Sequence, residues 1–204
     1  MTTKPTATSH LRSFASAALI GLETFGLLTA HGLAAAATQE ERVSTRPLTV
    51  EHIRISSKRS FDDVKTALES RVRFVQVDLL IPYLQKKDMA GARAELERLA
   101  APTGLSILYS LNHGAALAMD GRPRKAVGYG IGNVLTAVSM NKHDVAAGLY
   151  APIRVILYEG ADGTAVFEYD RPSSMFGLLG NASINSVAGQ LDAALKELLM
   201  DVGK

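Results

Sequence analysis

Cysteine is absent from the 204 residues of this chain, which excludes disulfide frameworks, thiolate nucleophiles, cysteine metal sites and a C-x-x-C-H haem attachment. Its absence does not choose a compartment, since such a chain can live in an oxidising or a reducing one. Charge of one sign is also scarce: 22 Lys and Arg against 20 Asp and Glu leave a formal +2, and the basic residues are scattered. That balance disfavours a nucleic-acid-binding surface. Missing too are a G-x-S-x-G elbow, a G-x-x-x-x-G-K phosphate loop, the Rossmann glycine spacing and any internal repeat. Low complexity is confined to one alanine run.

What is present is an ordinary globular composition, with 47% hydrophobic and 21% charged residues, which rules out global disorder. At about 100 to 150 residues per domain, the length suits one domain with a real core plus an appended segment. Lys4 and Arg12 precede an apolar run over residues 14–37, in which Ala34 and Ala36 supply a small-x-small cleavage pattern. Glu23 and His31 interrupt the run, and a central acidic residue costs a membrane-crossing helix roughly 2.5 to 3.5 kcal/mol. Leu19, Ile20, Leu22, Phe25, Leu27 and Leu28 spread around the whole helix circumference, favouring lipid or a protein groove over water. Residues 1–47 are therefore read as a signal-like segment of an exported, periplasmic protein, with residues 38–47 as linker. A membrane anchor making contact through residues 14–37 and a cytoplasmic docking helix are the alternatives.

Residues 51–56 alternate, with Ile53 and Ile55 on one face, and read as a first strand. Ser60 caps the helix that follows, its hydroxyl meeting free amides while Asp62 and Asp63 occupy the positive first turn. Phe61, Val64, Ala67 and Leu68 form that helix's buried stripe. Residues 72–102 stay helical in pattern, with Pro82 as a break, Asp88 as a cap and Leu96 and Leu99 on one face, and read as an inserted helical pair. Gly104 ends it, and residues 105–111 are an apolar strand. In the next strand Val127, Tyr129 and Ile131 alternate with Gly128, Gly130 and Gly132, so one face lacks side chains and must lie close to a neighbour, a helix or a ligand. Residues 154–159 and 164–170 form a hairpin through Gly160-Ala161-Asp162-Gly163. Ile184, Val187, Leu191, Ala194, Leu195 and Leu198 recur at helical spacing with Gln190, Lys196 and Glu197 opposite, so the last helix should lie across the sheet. The sum is an α+β two-layer sandwich over residues 48–204: a mainly antiparallel sheet with helices on one face and an insertion at 72–102.

The words GLSILYSLNHG at 104–114, YGIGN at 129–133, Met140 with Asp144, LYAPIRV at 149–155 and EYDRPSS at 168–174 stand in a specific order. In that order and spacing, residues 50–202 resemble the family labelled domain of unknown function 302, in its longer bacterial and fungal form. The resemblance implies a compact α+β fold and homodimers, and its shorter members lack a segment like 72–102. It implies no catalytic residue. The family usually has proline after the Gly-Asn pair, where this chain has Val134, so the turn is expected to be softer.

Asn112 and His113 stand where a strand passes into a loop, a common place for function. His113 can serve as general base, metal ligand or haem ligand, or it can simply cap a helix or bond a carbonyl. His143 with Asp144 invites the same thought, with Asp144 as the N-cap of a short helix over 145–149. Histidines at 10, 31, 52, 113 and 143 include no close pair, so no metal site is assigned. Haem between His113 and Met140 is chemically allowed but not required by the spacing, and Met140 fits a core position. Ser173, Ser174, His113 and Asp170 match a hydrolase triad in residue type only. Tyr129, Asn133, Tyr150, Arg154, Tyr169 and Asp170 form a polar and aromatic set at strand ends that would suit the wall of a pocket. Their structural alternative puts Tyr169 in the core and pairs Arg154 with Asp170 or Glu168.

The chain is thus expected to be a binding or sensing module with a small apolar or amphipathic ligand held between the sheet and its helices. The alternatives are an enzyme using His113 with Asn112 or Asp144 in acid-base chemistry, and a homodimeric assembly protein. No cofactor is assigned.

Overall fold

Five strands, β1 (His52–Ser60), β2 (Ser106–Leu111), β3 (Ala126–Gly132), β4 (Ile153–Glu159) and β5 (Thr164–Asp170), form one antiparallel sheet in the order β1-β5-β4-β3-β2. The computed structural model describes residues 43–204, and its compact unit is Leu48–Lys204. The expectations for the export or anchor segment, and for His10 and His31, lie outside the described residues. Among the described residues no helix is long and apolar enough to cross a membrane.

Register explains which side chains meet. Ile53 stands opposite Tyr169 and Ile55 opposite Phe167, while across β5 and β4 Tyr169 meets Val155 and Phe167 meets Leu157. Tyr129 then faces Val155 and Val127 faces Leu157. With a side-chain period of two, all of these point to one side of the sheet. That inner face is covered by α1 (Phe61–Arg71), through Phe61, Val64 and Leu68, and by α7 (Ala182–Val202), through Ile184, Ala188, Leu191, Leu195 and Leu199. The result is an α+β fold with a helix-packed antiparallel sheet.

Local chemistry sets the element ends. Ser60 accepts a hydrogen bond from the Asp63 amide, Asp88 from Gly91 at the start of α3 (Met89–Ala100), and Asn181 from Ser183 and Ile184 at the start of α7. At the other end of α7, Ser57 and Arg59 of β1 donate to the carbonyls of Gly203 and Val202. Those are orphan acceptors of a helix terminus. The register shift between Ser56 and Ser60 turns Ser57 inward to reach them, which is why β1 runs four residues past the alternation at 51–56.

The insertion is less helical than its pattern. Before α2 (Ile81–Gln85) and α3, residues 73–75 lie along β2, with Val75 N–H donating to the Ile107 carbonyl and Ile107 N–H donating to Arg73. This covers part of the free edge of β2, a stronger demand on the backbone than helical propensity. Between β3 and β4 comes α5 (Val134–Asn141), which Asn133 caps by accepting from Leu135 and Thr136. Val134 is therefore a first helical residue, a place where proline would also fit because no amide hydrogen is needed there.

Candidate functional site

The glycine strand makes room on the outer face of the sheet. A methyl group built on Gly130 would stand 2.2 Å from the Tyr109 ring, and one on Gly128 2.8 Å from Nε2 of His113. Two rings therefore occupy the strip that the missing side chains leave free. Asn112 caps α4 (His113–Leu117) by accepting from Ala115, so His113 opens that short helix with its ring against β3.

The inner face holds a different arrangement. Where edge strand β1 diverges from α7, a solvent-open groove of about 540 Å3 is lined by Ile53, Arg54, Ile55, Tyr169, Arg171, Gly189, Asp192, Ala193, Lys196 and Met200, with Arg54 paired to Glu168. By contrast the space beside α5, lined by Ile131, Met140, Ile153 and Phe176, is only about 20 Å3. That is room for roughly one water molecule.

Each polar group of the groove has a definite state. Tyr169 is 4% exposed, and its hydroxyl makes no hydrogen bond among the described residues, yet it is not sealed from solvent. Burial first, then the field of the Asp192 carboxylate, holds that hydroxyl above its ordinary pKa, with Arg171 opposing. It is therefore a neutral hydrogen-bond donor near neutral pH. Asp192 accepts from both the amide (2.9 Å) and the hydroxyl (2.5 Å) of Ser173, capping the start of α6 (Pro172–Phe176). Arg171 pairs with Glu51 at 2.6 Å. Lys196 lies one turn beyond Asp192, the spacing of a helical ion pair, but Asp192 is turned toward Ser173. The Lys196 ammonium makes no ion pair or hydrogen bond among the described residues.

Gly189 is the other unusual part. A glycine in a helix interior costs about 1 kcal/mol against alanine, and nothing lies within 4 Å of the methyl group it lacks. No close packing accounts for it. Its missing side chain is what keeps that wall of the groove low.

The family model for "Domain of unknown function DUF302" matches residues 83–202, more than half of the chain. The chain belongs to the DUF302 family. Among solved structures, the "uncharacterized conserved protein DUF302 from Bacillus stearothermophilus" superposes on this DUF302 chain with a TM-score of 0.53 at 14% identity. The superposition covers 75% of this chain and 98% of that one, a likeness of fold alone. No curated protein matches.

The DUF302 sheet divides the eight residues singled out in the sequence. Tyr129 and Tyr169 are on the inner face, where the Tyr129 hydroxyl donates to Glu69 at 2.9 Å and is held far above its ordinary pKa by burial and then by that carboxylate. Asn133 is a helix cap that also donates to the Gly104 carbonyl. Asn112 and His113 lie on the outer side as described. Tyr150, Arg154 and Asp170 meet in a second groove of about 520 Å3, with Tyr109, Leu149 and Met175. No pairing of Arg154 with Asp170 or Glu168 is formed; His52 takes Asp170 (3.0 Å) and Glu168 (3.3 Å), and Arg54 takes Glu168 (3.6 Å). Both β1 and β4 flank β5, and the two acids turn to His52 and Arg54, which stand opposite them on β1.

Other combinations come apart. Ser173 is bonded to Asp192 and Asp170 to His52, so no triad with His113 is assembled. Ser174 donates to the Arg171 carbonyl and accepts from the Glu51 amide. Asp144 caps the 3-10 helix Val145–Tyr150 by accepting from Ala146, and Met140 is buried in the core. Among the described residues no three His, Asp or Glu side chains converge as metal ligands.

His52 offers a direct check on the outer face. Its hydrogen bond to Asp170, and more weakly its interaction with Glu168, raises its pKa above the ordinary imidazole value of about 6.5. The protonated ring thus adds stability in full below about pH 6.5, and this is lost as pH rises through the higher folded value. An NMR titration should place the His52 midpoint above that of a free imidazole, and Asp170→Asn should lower it; equal midpoints would count against the contact.

Proposed function

We propose that this DUF302 protein is a small-molecule binding or sensing module whose apolar or amphipathic ligand lies in the groove between β1 and α7. One observation carries the reading: a recessed tyrosine hydroxyl without a partner faces a groove that an unpacked helix glycine keeps open. Ligand sites usually combine apolar walls with a few fixed polar groups, and here Ile53, Ile55, Ala193 and Met200 supply the walls. The raised pKa of Tyr169 suits a donor that positions a ligand better than a base that removes protons. The outer groove offers less, because its acid is already engaged by His52 and it has no recessed polar group like the Tyr169 hydroxyl.

A homodimer is part of the same proposal. It is favoured by the apolar side chains left uncovered near the outer groove, where Leu149 is 79% and Leu111 56% exposed. Export through the N-terminal segment also remains within the reading.

Native mass spectrometry of the protein purified from its own host tests this. The expected spectrum carries a retained small molecule in wild type and in Gly189→Ala, which leaves the groove open, and loses it in Gly189→Leu. Equal adducts in all three proteins would place the ligand elsewhere.

A further inference from the structure

We infer that the ligand of the β1–α7 groove is a singly charged anionic amphiphile, with a carboxylate-like head and an unbranched or flat apolar body. The inference rests on the groove reading above and adds the charge of its occupant. It follows from what the groove's polar groups have left to offer. Asp192 is the one carboxylate of the lining, and both of its oxygens already accept hydrogen bonds from Ser173. A cationic head would still feel the charge of Asp192, but it would find both carboxylate oxygens already accepting from Ser173 and would stand beside Lys196. An anionic head meets the opposite situation: an unpaired ammonium at Lys196 and an unused neutral donor at Tyr169. Arg171 adds positive potential, although Glu51 holds it.

The trough continues past Met200 in the same electrostatic character. A neighbouring groove of about 330 Å3 shares Ile55 and Met200 and is lined by Lys58 and Lys204 but by no acid. Lys58 has no charged partner among the described residues, while Lys204 is held by Asp201. A neutral alcohol of the same body would gain the apolar contacts with Ile53, Ile55 and Met200 but no Coulomb attraction. Within the β1–α7 groove itself Lys196 is the one cation without a charged partner, Lys58 belonging to the neighbouring groove, hence the single charge. A head that is both charged and dehydrated gains most where the wall is apolar, since charge-assisted hydrogen bonds are about twice as strong as neutral ones.

The test uses the full chain with three ten-carbon probes of different head group, decanoate, decanol and decylammonium, each below its micelle concentration. Binding is followed by chemical-shift changes at Tyr169 and Gly189. Wild type is expected to bind decanoate about tenfold more tightly than decanol, and decylammonium least. Lys196→Ala should bring decanoate to within about twofold of decanol without moving decanol itself, and Lys196→Glu should reverse the order of the two ions. Lys196 is exposed on the helix, so both variants are expected to fold, and circular dichroism checks that. If all three probes bind alike and only Gly189→Leu abolishes them, the groove is the site and the anionic assignment is overturned. If no probe shifts these residues in any variant, the groove reading falls together with it.

Discussion

Leu195→Asp is expected to lose about 3 to 5 kcal/mol of stability, because the new carboxyl would have no partner in the most completely buried part of the molecule. Leu195 has 0% exposure and packs where α7 crosses the inner face of the sheet. A chain of this size shifts in melting temperature by roughly 2 to 4 °C per kcal/mol, so the transition should fall by about 6 to 20 °C. Since total stability is usually about 5 to 15 kcal/mol, a sample already partly unfolded at 25 °C would also fit. The measurement is a thermal melt followed by circular dichroism. An unchanged midpoint would mean that α7 does not close over the sheet.

Gly114→Ala is expected to be nearly as damaging for a different reason. The added methyl group would stand 2.0 Å from the Arg124 carbonyl oxygen and 2.9 Å from the Ala126 amide nitrogen. Both are backbone atoms at the entry to β3, so no side chain can swing away and α4 must lift from the strand. Overpacking of this kind costs about 1 to 3 kcal/mol, and a rigid backbone obstacle belongs at the upper end. Gly189→Ala is the internal control, because nothing lies near it and the helix should gain up to about 1 kcal/mol. Urea unfolding of the two variants should move in opposite directions. A Gly114→Ala midpoint matching wild type would show that α4 is not seated on β3.

The elements that were legible in the sequence are those whose physics is local. Ser60, Asp88 and Asp144 cap helices through hydroxyl or carboxylate oxygens a few atoms away. Alternation in β4 and β5 with an Asp-Gly turn between them specifies the hairpin, and the spacing of Ile184, Leu191, Leu195 and Leu198 specifies the buried stripe of α7. The glycines of β3 announced a close approach, and the approaching groups are Tyr109 and His113. Residues 73–75 were read as helix because nothing local reveals that they border β2.

The candidate site was less legible. Of the eight residues chosen, Tyr169 lines the inner groove, while the rest cap helices, fill the core or face outward. Lys196 was placed on the solvent side of its helix, and nothing in the order of residues says that Asp192, one turn earlier, would turn to Ser173 instead. Gly189 was the one available sign, a helix breaker inside a strong amphipathic pattern.

By itself the sequence determined the start of α1, the hairpin, the buried stripe of α7 and the DUF302 resemblance, because periodicity and caps act over a few residues. Only the tertiary structure decided which polar groups would be satisfied and which left over. That depends on partners far apart in the chain: Ser57 with Gly203, Ser173 with Asp192, His52 with Asp170. A groove is the space that such pairings leave unfilled, and no local rule fixes it.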